Sequence, residues 1–486
     1  MNQPVSALAP TALWNHFSSL NAIPRPSKKE ERAVAFIKAF GESLNLPTVV
    51  DAIGNVIIKK PATACMEDRT PLILQSHLDM VHQKNSDTIF DFSSEGINMF
   101  VDGDWVKAKG TTLGADNGIG VAAIMTILAS QDIPHPALEA LFTVDEETGM
   151  SGALALKAGA LEGRILLNLD TEEDDELTIG CAGGIDVTAT GSYDSIGSSG
   201  NSAFRISLKG LTGGHSGVDI HKGRANANKL MNRILLKLAD ETGAALASLD
   251  GGSLRNAIPR ESTATVCIAA EKEVPFQSLI AQFQLILKNE YHFTDPALEI
   301  SIEKVDLPAT VLDPAFQFKF LRAVYSCPNG IYRMSPDIPG LVQSSNNIAK
   351  IQVNQGTYSI QCLTRSSVNS EKDDLARAIA AAFELAGASL AYTGAYPGWE
   401  PKPSAPIVKL MSELYQELYQ SPAKVNAIHA GLECGILGSH YPTMQMISFG
   451  PNIYGAHSPD EKVQISSVQK FWAYLQEILK QVPVLN

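Results

Sequence analysis

The sequence predicts an α/β protein: a mixed, largely parallel sheet with helices on its faces, interrupted by an inserted α+β domain. Three observations predict it. Apolar runs without helical period, Leu72 to Leu74, Leu138 to Val144 and Arg164 to Leu169, alternate with helical stretches at Val121 to Leu128 and Gly152 to Ala158, the order that builds parallel strands joined by crossovers. Each run ends in polar residues, His77-Leu78-Asp79, Asp145-Glu146-Glu147 and Asp170, and such sheets bind ligands outside the carboxyl ends of their strands. Between a Ser-, Gly- and Asn-rich stretch at 191–203 and the proline-rich Pro397 to Pro403 the chain changes character, then returns to its earlier style. A chain of 486 residues also exceeds one comfortable core. The expected division is 1–186 and 399–486 as two segments of one domain, with 187–398 inserted.

Taken in order, residues 10–20 predict a short helix before the turn Ile23-Pro24-Arg25-Pro26. Ser27 with Glu30 reads as a capping box opening a helix whose stripe is Ala33, Ile37, Phe40 and Leu44. Val49-Val50 and Val56 to Ile58 read as a hairpin. In the extended chain that follows, i and i+2 share a face, so His77 and Asp79 project together, either as two ligands or as a ligand and the carboxylate that orients it. The glycine-rich Gly110 to Gly120 carries no Gly-Lys-Ser/Thr, and no strand leads directly into a G-x-G-x-x-G turn, which excludes a nucleotide loop. What is left is a glycine-lined approach to Asp116, otherwise read as a helix N-cap. The inserted part predicts strands at 204–208, 263–268, 298–302 and 358–363 and helices at 225–238, 274–287 and 371–390. A helix at 406–419, a strand at 444–449 and a helix at 466–479 close the chain.

Composition removes several function classes. A formal charge of −14 opposes nucleic acid and anionic membrane as partners. No apolar run approaches a membrane span, and the start Met1-Asn2-Gln3-Pro4 lacks the basic and apolar regions of a signal peptide, so the expected location is the cytoplasm. Six scattered cysteines without a C-x-x-C pair argue against a disulfide framework or a thiolate zinc site.

Imidazoles and carboxylates gathered at strand ends, with no thiolate, suit a hydrolytic zinc site with open positions. Adjacent Glu146 and Glu147 divide the work, one ligating while its neighbour handles protons. A metal-binding assembly protein without catalysis is the non-enzymatic alternative, and the presence of Glu146, which such a protein need not retain, speaks against it.

The motifs His77-Leu78-Asp79, Gly114-Ala115-Asp116-Asn117-Gly118, Asp145-Glu146-Glu147-Thr148-Gly149, Asn168-Leu169-Asp170-Thr171-Glu172, Gly213-Gly214-His215-Ser216-Gly217 and Gly455-Ala456-His457-Ser458-Pro459-Asp460-Glu461 together resemble the M20 metallopeptidases over essentially the full length. The resemblance is to the branch that hydrolyses Xaa-His dipeptides, β-alanyl-histidine included. It implies a zinc-peptidase catalytic domain with a lid domain, and two Zn²⁺ ions, with Co²⁺ or Mn²⁺ as substitutes. Asp116 would bridge them, His77 and Asp170 completing one site and Glu147 and His457 the other. Asp79 would steer His77, and Glu146 would act as general base on a metal-bridged water. A cis peptide is implied after Asp116. Asp rather than Glu at position 170 goes with aminopeptidase and dipeptidase types. In the lid, His215 would be an oxyanion donor, or else simply a loop histidine at a helix entrance. Asn256 and Arg365 would meet the substrate backbone and carboxylate. Glu433 would receive the substrate amino group or else make a structural salt bridge. The alternative substrate range is that of a broader dipeptidase or tripeptidase of the same family. The inserted domain is about twice the size of a simple lid of this family, so His215 serves either its own chain or, in a homodimer formed through the lid, the partner's.

Overall fold

Every residue of the strand Leu72–His77 is buried, as an interior strand covered on both faces must be. The computed structural model describes residues 4–198 and 202–485. It divides into two compact units, one of Met1–Gly180, Pro401–Ala427 and Leu432–Asn486 and the other of Cys181–Glu400 and Ile428–Gly431.

In the first unit, the described residues form an eight-stranded sheet. Its order is Thr48–Val50, Val56–Lys60, Leu138–Thr143, Leu72–His77, Ile165–Asn168, Gln445–Ser448, Glu176–Cys181, Lys424–Ile428. Leu72–His77 runs parallel to both Leu138–Thr143 and Ile165–Asn168, and Ile165–Asn168 runs parallel to Gln445–Ser448. The hairpin adds its two strands antiparallel at one side. The helix Ala115–Ala129 is apolar all round and buried from Asn117 to Leu128, so periodicity could not assign it one face.

The second unit is organised by an antiparallel sheet ordered Glu299–Val305, Ser202–Lys209, Ser262–Ile268, Ala245–Gly251, Val342–Asn354, Thr357–Ser366, Gly183–Ser192, Ser389–Tyr396. Gly330–Met334 pairs with Val342–Asn354 beside that path. Phe204, Ile234, Phe276, Phe320 and Phe383, from one strand and four helices, share its core.

Several local expectations fail for identifiable reasons. Ser27 and Glu30 make no capping box: Ser27 turns both its N–H and its hydroxyl to the Met80 carbonyl at 3.3 Å, and Glu30 Oε1 accepts Lys28 N–H at 2.7 Å. The helix begins at Glu31. The helix expected over 371–390 spans Asn369–Glu384, and Ser389–Tyr396 is a sheet-edge strand. The small residues after Gly191 are not a crossing between units. Gly183–Ser192 is a ten-residue strand, and Ser195–Gly197 pairs with Thr310–Leu312; residues 199–201 of that stretch lie outside the described ones. The helix Pro314–Ser326 and the strand Val342–Asn354 carried no expectation.

Candidate metal centre

His77 ends its strand with both ring nitrogens engaged. Nδ1 lies 3.2 Å from Asp79 Oδ1, while Nε2 lies 3.1 Å from Asp116 Oδ1 and 3.4 Å from Asp170 Oδ1. Asp116 arrives from the glycine-lined loop. Gly114, not Asp116, caps the helix at φ 69°, and a Cβ there would fall 2.6 Å from Arg25 Nη2, so the position admits only glycine. The Asp116–Asn117 peptide is cis, and Asn117 Nδ2 donates to Leu169 O at 2.6 Å. The second oxygen of Asp116 faces His457 Nε2 at 3.2 Å, and that nitrogen is 3.0 Å from Glu147 Oε2.

The result is two triads that share Asp116: His77, Asp116 and Asp170, and Asp116, Glu147 and His457. Within each, the ligand atoms lie within 4.8 Å of one another. His77, Glu146 and Glu147 form a further such group, so Glu146 stands beside the ligand atoms. Glu147 Oε1 is buried without a hydrogen-bond partner, and Asp170 Oδ1 has only the 3.4 Å approach of His77 Nε2. Carboxylate oxygens and imidazole nitrogens with lone pairs to give, and no sulfur, form the donor set of a hydrolytic divalent-metal site.

Asp79 fixes this arrangement from behind. Besides His77 it accepts the backbone N–H of Glu146 on Oδ1 at 3.0 Å and that of Glu147 on Oδ2 at 3.2 Å. One buried carboxylate therefore orients an imidazole and both glutamates. Glu30 and Asp145 sit close to it in a fully buried carboxylate group that the sequence did not announce.

The electrostatics are those of an anionic pocket. Burial alone would lower His77, yet Asp170, Asp116 and Asp79 outweigh it and raise the imidazole well above its usual range. Hydrogen bonds to Asp116 and Glu147 push His457 up to about 11. Burial opposes ionisation of Asp116, but the two imidazoles hold it far below the ordinary carboxylate range. Asp170 is pushed up to about 6 by burial, and burial also raises Glu146 strongly. Such a cluster favours any cation that can replace protons at the two Nε2 atoms.

Residues 73–481 match peptidase family M20/M25/M40. The chain belongs to this family. It is a metallopeptidase. It is 43% identical, over 99% of both chains, to the cytosol non-specific dipeptidase of Escherichia coli K12. The crystal structure of the aminoacylhistidine dipeptidase of Vibrio alginolyticus is similar at TM-score 0.93 and 43% identity, covering 100% of this chain and 99% of that one. The aminopeptidase PepT of Bacillus cereus, at TM-score 0.57 and 16% identity over 98% and 99% of the two chains, shares the fold. No helix among the described residues is long and apolar enough to cross a membrane.

In this M20 peptidase, Glu433 opens the helix Glu433–His440 and is buried in the first unit. Its Oε2 accepts Gln75 Nε2–H and Thr143 Oγ1–H, each at 2.6 Å, and its Oε1 is buried without a partner. Of the two alternatives for Glu433, the structural salt bridge is not made, an amide and a hydroxyl standing in its place, and burial pushes Glu433 up to about 7.

The second unit of the M20 chain gathers His215, Asn256 and Arg365. Gly214–His215 pairs with Ala257–Ile258, and Ser216 N–H donates to Asn256 O at 2.8 Å. His215 Nδ1 accepts the N–H groups of Gly217 and Val218 at 3.2 and 3.1 Å. That leaves the ring proton on Nε2. Burial, then the Arg365 charge, lowers His215 to about 4, so near neutral pH it is an uncharged Nε2–H donor. Arg365 Nη2 lies 3.4 Å from that nitrogen, and its Nη1 donates to Tyr396 Oη at 2.8 Å. Two donors therefore stand side by side. His429, absent from the sequence reading, is buried beside them and pairs through Nε2 with Ser345 Oγ at 2.7 Å.

Proposed function

We propose that this metallopeptidase is a dipeptidase that hydrolyses Xaa-His dipeptides, including β-alanyl-histidine, with two Zn²⁺ ions as its cofactors and Co²⁺ or Mn²⁺ as substitutes. The observation that carries the reading is the sharing of Asp116 between two imidazole–carboxylate triads. His77, Asp116 and Asp170 would hold one ion, and Asp116, Glu147 and His457 the other. When bound, such ions supply Lewis acidity toward a carbonyl and toward water.

The remaining chemistry belongs to the chain. Glu146, beside the ligand atoms and raised by burial, accepts the proton of the attacking water and returns it to the leaving amine. Asp79 holds His77 and the glutamate backbone in register. The buried free oxygen of Glu433 suits a substrate ammonium group. In the second unit, His215 Nε2–H is proposed to stabilise the oxyanion, with Asn256 and Arg365 binding the substrate backbone and carboxylate. Residues 187–398 are proposed as the lid and dimerisation domain, and the cytoplasm as the location.

A broader dipeptidase is the second reading, favoured by the name of the Escherichia coli relative. A panel of Xaa-His, Xaa-Xaa and tripeptide substrates separates the two. Higher kcat/KM for Xaa-His supports the first, equal rates across dipeptides support the second, and a preference for tripeptides defeats both. Sedimentation velocity decides the homodimer.

A further inference from the structure

The loop that delivers Asp116 is gripped from two sides by buried charges of opposite sign. Glu461 accepts four consecutive backbone N–H groups: Leu113 and Gly114 on Oε2 at 2.7 and 3.0 Å, Ala115 and Asp116 on Oε1 at 2.8 and 3.3 Å. On the other side Arg25 Nη2 donates to Gly114 O at 2.6 Å, and to Asn21 Oδ1 at 3.1 Å. Asn21 Nδ2 in turn donates to Leu113 O at 2.8 Å. The same guanidinium reaches the His77 loop, where Nη1 donates to Leu78 O and Asp79 O, both at 3.0 Å.

Arg25 is 1% exposed and Glu461 3% exposed, and neither has an oppositely charged side chain in contact among the described residues. Burying a charge without an ion pair is costly unless several hydrogen bonds are made to it. Here the hydrogen bonds go to main-chain groups of the two ligand-bearing loops. A planar fork fixes the relative position of three carbonyls in a way that one ammonium cannot. Gly118 contributes as well, since a Cβ there would lie 2.8 Å from Arg25 Nη2.

We propose that Arg25 and Glu461 are positioning residues of the metal centre: together they set the spacing between His77 and Asp116, and with it the affinity of the site for its metal. The proposal rests on the metal-centre reading above. No hydrogen bond or ion pair joins either residue to a ligand side chain among the described residues; their hydrogen bonds go to the backbone that carries the ligands, and their charges are felt at Asp116 as well.

The test uses the full chain stripped of metal and titrated with Zn²⁺ against a chromophoric chelator, for Arg25→Met, Arg25→Lys, Glu461→Gln and Asp116→Ala. Thermal unfolding of each metal-free protein is followed separately. Arg25→Met and Glu461→Gln should bind Zn²⁺ about tenfold or more weakly than wild type, as removal of outer support does elsewhere. Arg25→Lys should fall between. A role in stability alone would lower the unfolding temperature of the metal-free protein and leave the Zn²⁺ dissociation constant of the folded fraction unchanged, which overturns the proposal. If Arg25→Met does not fold, Arg25→Lys and Glu461→Gln decide by the same constant. Asp116→Ala tells two failures apart. Wild-type zinc affinity in that variant defeats the metal-centre reading itself, whereas zinc loss there with normal affinity in the other variants defeats only the clamp.

Discussion

Glu146 donates its backbone N–H to Asp79 Oδ1 at 3.0 Å, so the residue proposed to move protons is held by the carboxylate that also orients His77. Asp79→Asn should therefore damage two things together. The new amide cannot accept from Glu146, Glu147 and His77 at once. We expect a 10–100-fold loss in metal affinity or activity, read from zinc stoichiometry and kcat on one preparation.

Glu146→Ala should separate chemistry from metal binding. It removes a proton carrier beside the ligand atoms, so zinc content should hold while kcat falls by about 10²–10⁴. Asp116→Ala should instead lose metal, because both triads need its oxygens. Near-normal turnover in the Glu146 variant would show that another group carries the proton.

His215→Ala should lower kcat by about 10²–10³, the scale of a lost oxyanion donor, with zinc content unchanged. Since the ring is held at about 4, the ratio of wild-type to variant kcat should stay flat between pH 5 and pH 8. Arg365→Ala should act mainly on KM. A bell-shaped ratio would mean that His215 works as an acid or base.

Burial, reinforced by Arg365 and His215, pulls His429 down to about 3. Above the unfolded value of roughly 6.5 both states are neutral and the shift has no effect. As pH falls below that value the unfolded chain takes up a proton that the folded one refuses, so stability drops progressively toward pH 3. At pH 5 the loss is on the order of 2 kcal/mol. Urea midpoints of the metal-free protein at pH 7 and pH 5 should differ less in His429→Gln than in wild type.

What was legible in the sequence followed from apolar pattern and short motifs. Leu72, Ile73 and Leu74 are fully buried, and an uninterrupted apolar run signals that directly. His77, Asp116, Glu147, Asp170 and His457 converge because they end strands or leave tight loops, where motif residues stand out. Val342–Asn354 stayed hidden for the opposite reason. Its Gln343 to Asn347 are all buried, but they are satisfied by side-chain hydrogen bonds such as Asn347 Nδ2 to Ala257 O at 2.8 Å. Arg25 likewise looks like a turn residue between two prolines. Only distant carbonyls reveal its use, and no local window contains them.

The placement of Gln445–Ser448 between Ile165–Asn168 and Glu176–Cys181 has a consequence for synthesis. A ribosome makes the strands on either side of this one early, then the whole second unit, and only near the end the strand that joins them. Until then Ile165–Asn168 presents an open hydrogen-bonding edge, of the kind that recruits other chains. His457 emerges later still, so a nascent or prematurely terminated chain would carry a sticky, half-built sheet and could not yet assemble its full set of ligands.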